Sequence, residues 1–223
     1  MSSLPTPKSV LIIGGGPSGL VTLRNLVELG NFERVELVER RSDVGGVWFV
    51  GYHSLFVLIS IHTRYLDEAS RQTGKPLWPS PAYPGLVGNV LPQFLGFSGF
   101  PFPERTKKYP HQPFPTLTET YEYLRSFADP FIKSGKIRLS WEVIRVEEET
   151  QNDGRWKVYM RNWNGDDNGK ECVETWDAVV VAVGWYDNPV WPDTNGLDVI
   201  KAKGCATHAK DWRGPKKYED KVR

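Results

Sequence analysis

The stretch that decides the fold runs from Lys8 to Arg40 and reads KSVLIIGGGPSGLVTLRNLVELGNFERVELVER. It opens on an apolar run, 10–13, that is typical of a parallel strand buried on both faces. A cluster of glycines follows, and apolar residues then recur at helical spacing until Gly30, a natural stop for a helix. A second short apolar run, 35–38, completes the stretch. We therefore predict a strand, a tight turn, a helix and a second strand, the start of an α/β fold.

The glycines at positions 14, 16 and 19 form the pattern G-x-G-x-x-G, which is typical of a turn that binds a dinucleotide. The first allows the tight turn, the second lets the backbone approach a pyrophosphate, and the third lets helix and strand pack closely. The helix start offers free N–H groups to the phosphates. Glu39, twenty residues after Gly19, can accept hydrogen bonds from ribose hydroxyls and would repel a 2′-phosphate. We predict an FAD or NAD site rather than an NADP site; a glycine-rich turn without a ligand is the alternative.

A second pair of glycines stands in residues 40–48, RRSDVGGVW. Gly45 and Gly46, directly after the acidic strand end, offer another place where a ligand can approach the backbone. An ordinary diglycine turn is the alternative. The combination of G-x-G-x-x-G, an acid and G-G-x-W resembles the FAD site of flavoproteins with two dinucleotide-binding domains. In that group, the residues at the positions of Val47 and Trp48 lie beside the flavin half of the cofactor.

The composition excludes several classes of protein. Among 223 residues, 28 are basic and 27 acidic, so no nucleic-acid-binding face is predicted. Cys172 and Cys205 are far apart in sequence, which argues against a disulfide scaffold, a redox-active dithiol and a zinc site, and we predict no metal. We see no signal peptide and no apolar run long enough to span a membrane. A cytoplasmic protein without a membrane segment is therefore expected.

Residues 49–64, FVGYHSLFVLISIHTR, interrupt this pattern with a stretch that has neither a helical nor an alternating period. Without them, Trp48 would run directly into Tyr65 and the cofactor loop would be continuous. We interpret the stretch as an atypical insert. It is either a buried strand or hairpin, or else a translated retained intron or an error in the gene model, and the sequence of the mature transcript would distinguish these.

A loop rich in proline, glycine and aromatic residues carries the next motif. Tyr83, then Asn89 six residues later, Pro92 and the F-P-F of residues 100–102 together resemble the flavin-containing monooxygenases. In that family the asparagine lies at the flavin, where oxygen reacts, and the resemblance gives this role to Asn89. Gly88 stands where the family often has threonine or serine. Related Baeyer–Villiger monooxygenases have an aspartate at the position of Asn89. A turn asparagine that holds its own loop is the alternative.

The remaining patterns predict further elements of this architecture. An amphipathic helix begins with the capping-box pair Thr116 and Glu119, and Pro130 should kink or shorten it. A last apolar run ends at Gly184, predicts another buried parallel strand and resembles the A-T-G strand of the family. Between them, four runs predict strands of a small β-meander, which caps the FAD domain in such flavoproteins: 137–139, 143–146, 155–163 and 170–177.

The family signature, F-x-G-x-x-x-H-x-x-x-Y/F, is matched by Gly204, His208 and Trp212, with Ala202 in place of the phenylalanine. The Baeyer–Villiger version ends in tryptophan, so Asn89 and Trp212 favour different branches. The resemblance implies a structural role for His208 between flavin and NADPH domains; an ordinary surface or core histidine is the alternative. The family continues into a second G-x-G-x-x-G that holds NADPH, a pattern that this sequence does not contain.

The resemblance thus implies an incomplete flavoprotein with two dinucleotide-binding domains. Residues 1–190 would form a Rossmann-like FAD-binding domain with a parallel sheet and the β-meander. Residues 191–223 would form a linker toward an absent NADPH-binding domain, so we expect a truncated chain.

The resemblance also implies an activity. FAD and NADPH would be the cofactors, and a flavin C4a-hydroperoxide would transfer oxygen from O₂ to nitrogen or sulfur of a small nucleophile. The alternatives are a non-catalytic FAD-binding fragment and a Baeyer–Villiger monooxygenase. The predicted catalytic residue is Asn89. The predicted cofactor-binding residues are Gly14, Gly15, Gly16, Pro17, Ser18, Gly19, Glu39, Gly46, Val47, Trp48 and Gly184.

Overall fold

The computed structural model describes residues 6–49, 77–103, 111–149, 154–164 and 169–218. The predicted insert, 49–64, lies outside these ranges apart from Phe49. The strands are β1 (Ser9–Ile13), β2 (Arg34–Glu39), β3 (Ile137–Leu139), β4 (Trp141–Glu149), β5 (Arg155–Asn162), β6 (Lys170–Trp176) and β7 (Ala178–Val181). The α-helices are α1 (Pro17–Leu29), α2 (Pro92–Leu95), α3 (Leu117–Lys133) and α4 (Leu197–Ala202), and 3₁₀ turns span Gly46–Trp48, Ala209–Asp211 and Pro215–Tyr218.

β1 lies inside a parallel sheet whose strand order is β3-β2-β1-β7. Ser9 pairs with Arg34 of β2, and Val10 pairs with Ala178 of β7. Leu11 is fully buried, because elements cover both faces of this strand. The predicted start of an α/β fold, with strand, turn, helix and strand, is confirmed.

Two strands differ from the prediction. The run 137–139 is not part of the β-meander, because β3 pairs in parallel with β2 at one side of the sheet. β7 pairs with β1 in parallel, as predicted, but it is not buried throughout: Val181 is 68% exposed. β7 is the outer strand on this side of the sheet in the part of the chain that the structure describes. A short apolar run does not by itself distinguish an inner strand from an outer one.

The β-meander consists of β4, β5 and β6, which pair in antiparallel order. It packs on one face of the parallel sheet, where Val158, Met160 and Trp176 are fully buried against Leu11 and Val38. Alternate residues of β5 supply the first two, as expected for a strand with one buried face. The meander therefore covers the sheet face opposite to α1 and α3.

α3 and α1 cover the other face of the sheet, where Leu20 and Leu23 join Leu124 and Phe127 in one buried cluster. The predicted capping box is confirmed, since the Thr116 hydroxyl accepts from the main-chain N–H of Glu119 and the Glu119 carboxylate accepts from that of Thr116.

Pro130 does not shorten α3, because the helix continues to Lys133. A proline removes a single N–H donor, and this one lies in the last turn of the helix, where few further hydrogen bonds depend on it.

Candidate functional site

The carboxyl ends of β1, β2 and β7 meet at the glycine turn, which we define as residues 14–19. Gly14 has a φ of +108°, and a Cβ at this position would stand 2.6 Å from the main-chain oxygen of Ala182, which follows β7. A Cβ on Gly19 would overlap the main-chain oxygen of Gly14 and touch Leu37 Cδ1 at 3.4 Å. The first and third glycines are therefore required by the packing of strand, turn and helix.

Within the described ranges, no side chain caps the amino end of α1. Gly16 precedes the helix with an extended backbone, and no side chain accepts a hydrogen bond from the first turn. Pro17 has no N–H, so the main-chain N–H groups of Ser18 and Gly19 are the donors that remain in this turn. The turn also contains no acidic side chain, and the helix dipole favours negative charge at this end. A phosphate group fits this helix end.

Glu39 ends β2 beside the glycine turn and is buried. Its Oε2 accepts a hydrogen bond of 2.6 Å from the N–H of Gly15, and its Oε1 accepts one of 2.9 Å from the N–H of Arg41. Two backbone donors thus fix the orientation of the carboxylate. Each carboxylate oxygen has a further lone pair, so Glu39 can also accept from the hydroxyls of a ribose.

The diglycine turn, Gly45 and Gly46, packs directly on the glycine turn. Both residues have positive φ, of 117° and 56°, and the N–H of Gly45 donates to the main-chain oxygen of Gly15 over 2.8 Å. A Cβ on Gly46 would stand 3.0 Å from Gly16 Cα. The two turns approach so closely because neither carries side chains at the contact.

Arg41 contacts the diglycine turn and was not singled out from the sequence. Its Nη1 donates to the main-chain oxygen of Gly46 over 2.6 Å. Its Nε is buried and has no hydrogen-bond partner in the part of the chain that the structure describes. Burial lowers the pKa of the Arg41 guanidinium, and the nearby Glu39 carboxylate partly offsets this effect. Arginine nevertheless stays charged, so a partly desolvated cation lies beside both turns.

A buried aspartate, Asp43, connects the diglycine turn to α3. One of its oxygens accepts from the Tyr121 hydroxyl over 2.7 Å, and the other lies 3.1 Å from Nε of Arg125. The main-chain N–H of Val44 also donates to Asp43. Sequence reasoning missed Asp43, because both long-range partners lie on a helix more than seventy residues later.

The 3₁₀ turn that contains Val47 and Trp48 is hydrogen-bonded to Ser80, which lies in a loop distant in sequence. The Ser80 hydroxyl donates to the main-chain oxygen of Val47, and the main-chain oxygen of Ser80 accepts from Arg213 over 3.2 Å. Ser80 is buried. No signal in the sequence near Ser80 predicts this contact.

Gly184 and Asn89 lie on exposed segments. Gly184 follows β7 with a φ of +74°, and no atom of a described residue would lie within 4 Å of a Cβ there. Asn89 is exposed, but its loop is tied to the start of α3, since the N–H of Gly88 donates to the main-chain oxygen of Pro115 over 2.8 Å. No hydrogen bond between described residues joins Asn89 or Gly184 to the glycine turn.

The signature segment, residues 204–212, has a local structural explanation. Gly204 has a φ of +67° and ends α4 in a Schellman arrangement: its N–H donates to Lys201, and the N–H of Cys205 donates to Ile200. His208 Nδ1 accepts from the N–H of Lys210 and so caps the 3₁₀ turn that follows.

Trp212 ends the signature segment with its ring edge-on to that of Tyr83, at 4.2 Å between centroids. The last residue of the signature is therefore in contact with the first residue of the motif that contains Asn89.

Two features do not occur among the described residues. These residues contain no group of three or more histidine, cysteine, aspartate or glutamate residues that could hold a metal ion. Among them, too, no helix is both long and apolar enough to cross a membrane.

Known families and proteins show what this arrangement is similar to. The model of the family described as flavin-binding monooxygenase-like matches residues 78–223, and that of an NAD(P)-binding Rossmann-like domain matches residues 12–51. The Arabidopsis thaliana protein named flavin-containing monooxygenase FMO GS-OX-like 2 is 32% identical over 222 residues. That alignment covers 97% of this chain and 44% of the Arabidopsis protein, so the chain spans less than half the length of this relative.

Two solved structures are also similar to this chain. The S-allyl-L-cysteine S-oxygenase of Allium sativum has a TM-score of 0.69 and 30% identity, covering 98% of this chain and 45% of that one. OTEMO, in complex with FAD and NADP, has a TM-score of 0.53 and 20% identity over 87% of this chain and 29% of that one, which shows the fold alone. Because the monooxygenase model matches residues 78–223 of 223, the chain belongs to the flavin-binding monooxygenase-like family.

Proposed function

We propose that the chain binds FAD, with the ADP half of the cofactor at the glycine turn. The N–H groups of Ser18 and Gly19, which no described side chain caps, would bind the pyrophosphate, and Gly16, which has no side chain, would let it approach the backbone. Glu39 would accept from the ribose hydroxyls. The observation that carries this proposal is the buried Glu39 carboxylate, which two backbone donors orient beside an uncapped helix start.

The flavin half would then lie toward the diglycine turn and the loops around it. Gly46, Val47 and Trp48 form the 3₁₀ turn that packs on the glycine turn, and Ser80 fixes the backbone of Val47. Gly184 follows β7 at the same edge of the sheet. We assign Asn89 to the reacting side of the flavin through the family resemblance. Asn89 is exposed, and an amide in such a position can donate to a bound group.

The whole protein would be an NADPH-dependent monooxygenase that oxygenates nitrogen or sulfur of a small nucleophile. When bound, FAD supplies the redox chemistry and the activation of oxygen, while the protein supplies position, hydrogen bonds and exclusion of water. The similarity to the Allium S-oxygenase, at 30% identity, favours sulfur over nitrogen. A Baeyer–Villiger reaction is the alternative, because Trp212 matches that branch, whereas Asn89 stands where that branch has an aspartate.

The domain boundaries are part of the proposal. Residues 1–190 would form the FAD-binding domain, and residues 191–223 would connect it to the NADPH-binding part of a whole protein. The contacts of Trp212 with Tyr83 and of Arg213 with Ser80 support this, since they anchor the connecting segment next to the turn that would hold the flavin half.

Direct titration tests FAD binding. Purified full chain is titrated with FAD, and the quenching of flavin fluorescence gives the dissociation constant. Glu39→Gln should weaken binding by roughly tenfold, since a charge-assisted hydrogen bond is exchanged for a neutral one. Glu148→Gln is the matched control, because Glu148 is exposed on β4. Equal affinities of Glu39→Gln and the wild type would contradict the assignment of the ribose.

A second measurement distinguishes an enzyme from a binding module. NADPH is added without oxygen to the chain loaded with FAD, and the flavin absorbance is followed. We expect no rapid bleaching of the flavin absorbance, because the sequence contains a single G-x-G-x-x-G pattern. At that pattern, Glu39 disfavours the 2′-phosphate of NADPH. Retained but unreduced flavin would support the alternative that this chain acts as a non-catalytic FAD-binding module. Rapid bleaching would show a hydride-donor site within these 223 residues.

A further inference from the structure

Two residues with opposite preferences for a ribose 2′-phosphate follow each other in sequence at the end of β2. The Glu39 carboxylate suits an unphosphorylated ribose, whereas an arginine near a ribose can accommodate a 2′-phosphate. Arg40 directly follows Glu39. If its guanidinium were available, Arg40 would weaken the discrimination that Glu39 provides.

Contacts from two other parts of the chain hold the guanidinium of Arg40. Its Nη2 lies 2.8 Å from Oδ1 of Asp187, and its Cζ lies 5.5 Å from the ring centroid of Trp78. Lys210 approaches the same aspartate, with its Nζ 3.7 Å from Oδ1 and a hydrogen bond to the main-chain oxygen of Asp187. One carboxylate thus faces two cations.

The topology places this ion pair across the proposed cofactor site. Asp187 comes from the segment that leaves β7, on one side of β1, whereas Arg40 leaves β2 on the other side. Two strand spacings amount to about 10 Å, which the residues between Ala182 and Asp187 can span. The pair therefore bridges the carboxyl edge of the sheet at the turn that follows β1.

Asp187 is charged at neutral pH. Partial burial raises the pKa of Asp187. The hydrogen bond from Arg40 and the charges of Arg40, Lys210 and Arg41 lower this pKa by more than burial raises it, so it lies below its ordinary value. Without this carboxylate, Arg40 and Lys210 would lose their shared counterion, and the edge of the site would become more positive.

We propose that Asp187 is a specificity-determining residue, which engages Arg40 and so withholds it from a ribose 2′-phosphate. This inference rests on the proposed binding of a dinucleotide at the glycine turn. It assigns to Asp187 a task that complements that of Glu39: Glu39 disfavours the phosphate directly, and Asp187 removes the cation that would attract it.

The test compares two small probes, ADP and 2′,5′-ADP, by calorimetric titration of the full chain. The wild type should prefer ADP. In Asp187→Asn the ratio of affinities should shift toward 2′,5′-ADP by roughly tenfold, the factor that one charge-assisted hydrogen bond supplies. The shift should shrink at high salt, vanish in the double variant with Arg40→Gln, and be absent in Asp187→Glu. A merely structural role of Asp187 would weaken both probes equally.

Arg40→Gln alone is an independent measurement. If Asp187 withholds Arg40, this variant keeps the wild-type ratio, whereas a loss of 2′,5′-ADP affinity would show that Arg40 is already available and would overturn the inference. An unchanged ratio in Asp187→Asn, with both probes still bound, would overturn the inference and leave the proposed function standing. Failure of the wild type to bind ADP or FAD would overturn the proposed function and this inference with it.

Discussion

The βαβ unit of residues 9–39 and the C-terminal segment of residues 183–218 are held in place in different ways. In the first, the side chains of the strands and the inner face of α1 are buried in two cores. In the second, large apolar side chains are exposed, among them Trp185 at 94%. Local caps and a few side-chain contacts define the second region instead: the end of α4 at Gly204, the cap by His208 and the ion pairs of Asp187. Burial therefore stabilises the dinucleotide fold, whereas local hydrogen bonds shape the signature segment.

The largest effect should come from a glycine of the first region. Gly19→Ala places a Cβ on the main-chain oxygen of Gly14, and a rigid turn between a strand and a helix cannot yield. We expect a loss of about 3 kcal/mol or more in the free energy of unfolding, measured by urea denaturation. Gly204→Ala is the matched control in the second region. Among the described residues, no atom would lie within 4 Å of a Cβ there, so only the strain of its positive φ, about 1 kcal/mol, should appear. Equal losses of unfolding free energy in Gly19→Ala and Gly204→Ala would contradict the difference between the two regions.

A pair of valines tests burial directly. Val38 is 1% exposed in β2 and Val190 is 81% exposed in the C-terminal segment. Val38→Ala should cost about 1.5–3 kcal/mol, because buried apolar surface and its contacts are lost. Val190→Ala should change the free energy of unfolding by less than about 0.5 kcal/mol. The measurement is thermal or urea denaturation of both variants. A substantial cost at Val190 would mean that the C-terminal segment is buried in solution.

The pH dependence of the free energy of unfolding should reveal the hydrogen bonds that the Asp177 carboxylate accepts at the start of β1. Asp177 accepts from the main-chain N–H groups of Lys8 and Ser9, at 2.9 and 2.8 Å. Burial raises its pKa, but these hydrogen bonds and the charge of Arg155 lower it more, so the folded pKa lies below the ordinary value of 3.8. The stabilisation is therefore present above pH 3.8 and is lost as the pH falls through the folded pKa.

Asp177→Asn should consequently destabilise the protein by about 1 kcal/mol at pH 7 and by less at lower pH. Urea denaturation at pH 7 and near pH 3 checks this. If the difference in the free energy of unfolding between the wild type and Asp177→Asn were larger near pH 3 than at pH 7, the predicted direction of the pH dependence would be wrong.

The same comparison explains how much the sequence predicts. The glycine turn, Glu39 and the capping box at Thr116 follow from local spacing, because each is defined by residues close together in the chain. The assignment of 137–139 to the meander is wrong, since three residues do not specify a pairing partner. Asp43 and Ser80 depend on contacts between distant segments, which local patterns do not encode.

The signature segment is an intermediate case. Its spacing predicts a recognisable motif, and the resemblance predicts a structural role for His208. The end of α4 at Gly204 is a local feature that the glycine could have indicated. The pairing of Asp187 with Arg40 is not local, and nothing in the sequence near Asp187 indicates it.

The smallest expected effect distinguishes a capping role of His208 from an acid–base role. His208 Nδ1 accepts from the N–H of Lys210 over 3.1 Å, and the ring lies edge-on to Trp191 at 5.4 Å between centroids. His208→Ala should cost about 0.5–1 kcal/mol by urea denaturation, because it removes the acceptor. His208→Asn should recover most of this loss, since asparagine is a favourable capping residue but cannot exchange a proton near neutral pH.

An acid–base role of His208 would give a different result. In a whole protein that carries this segment, the His208→Asn and His208→Ala variants would then show equal defects in the pH profile of the oxygenation reaction. Because the histidine supports an exposed turn rather than a core, even complete loss of the cap should leave the βαβ unit folded and its affinity for FAD unchanged.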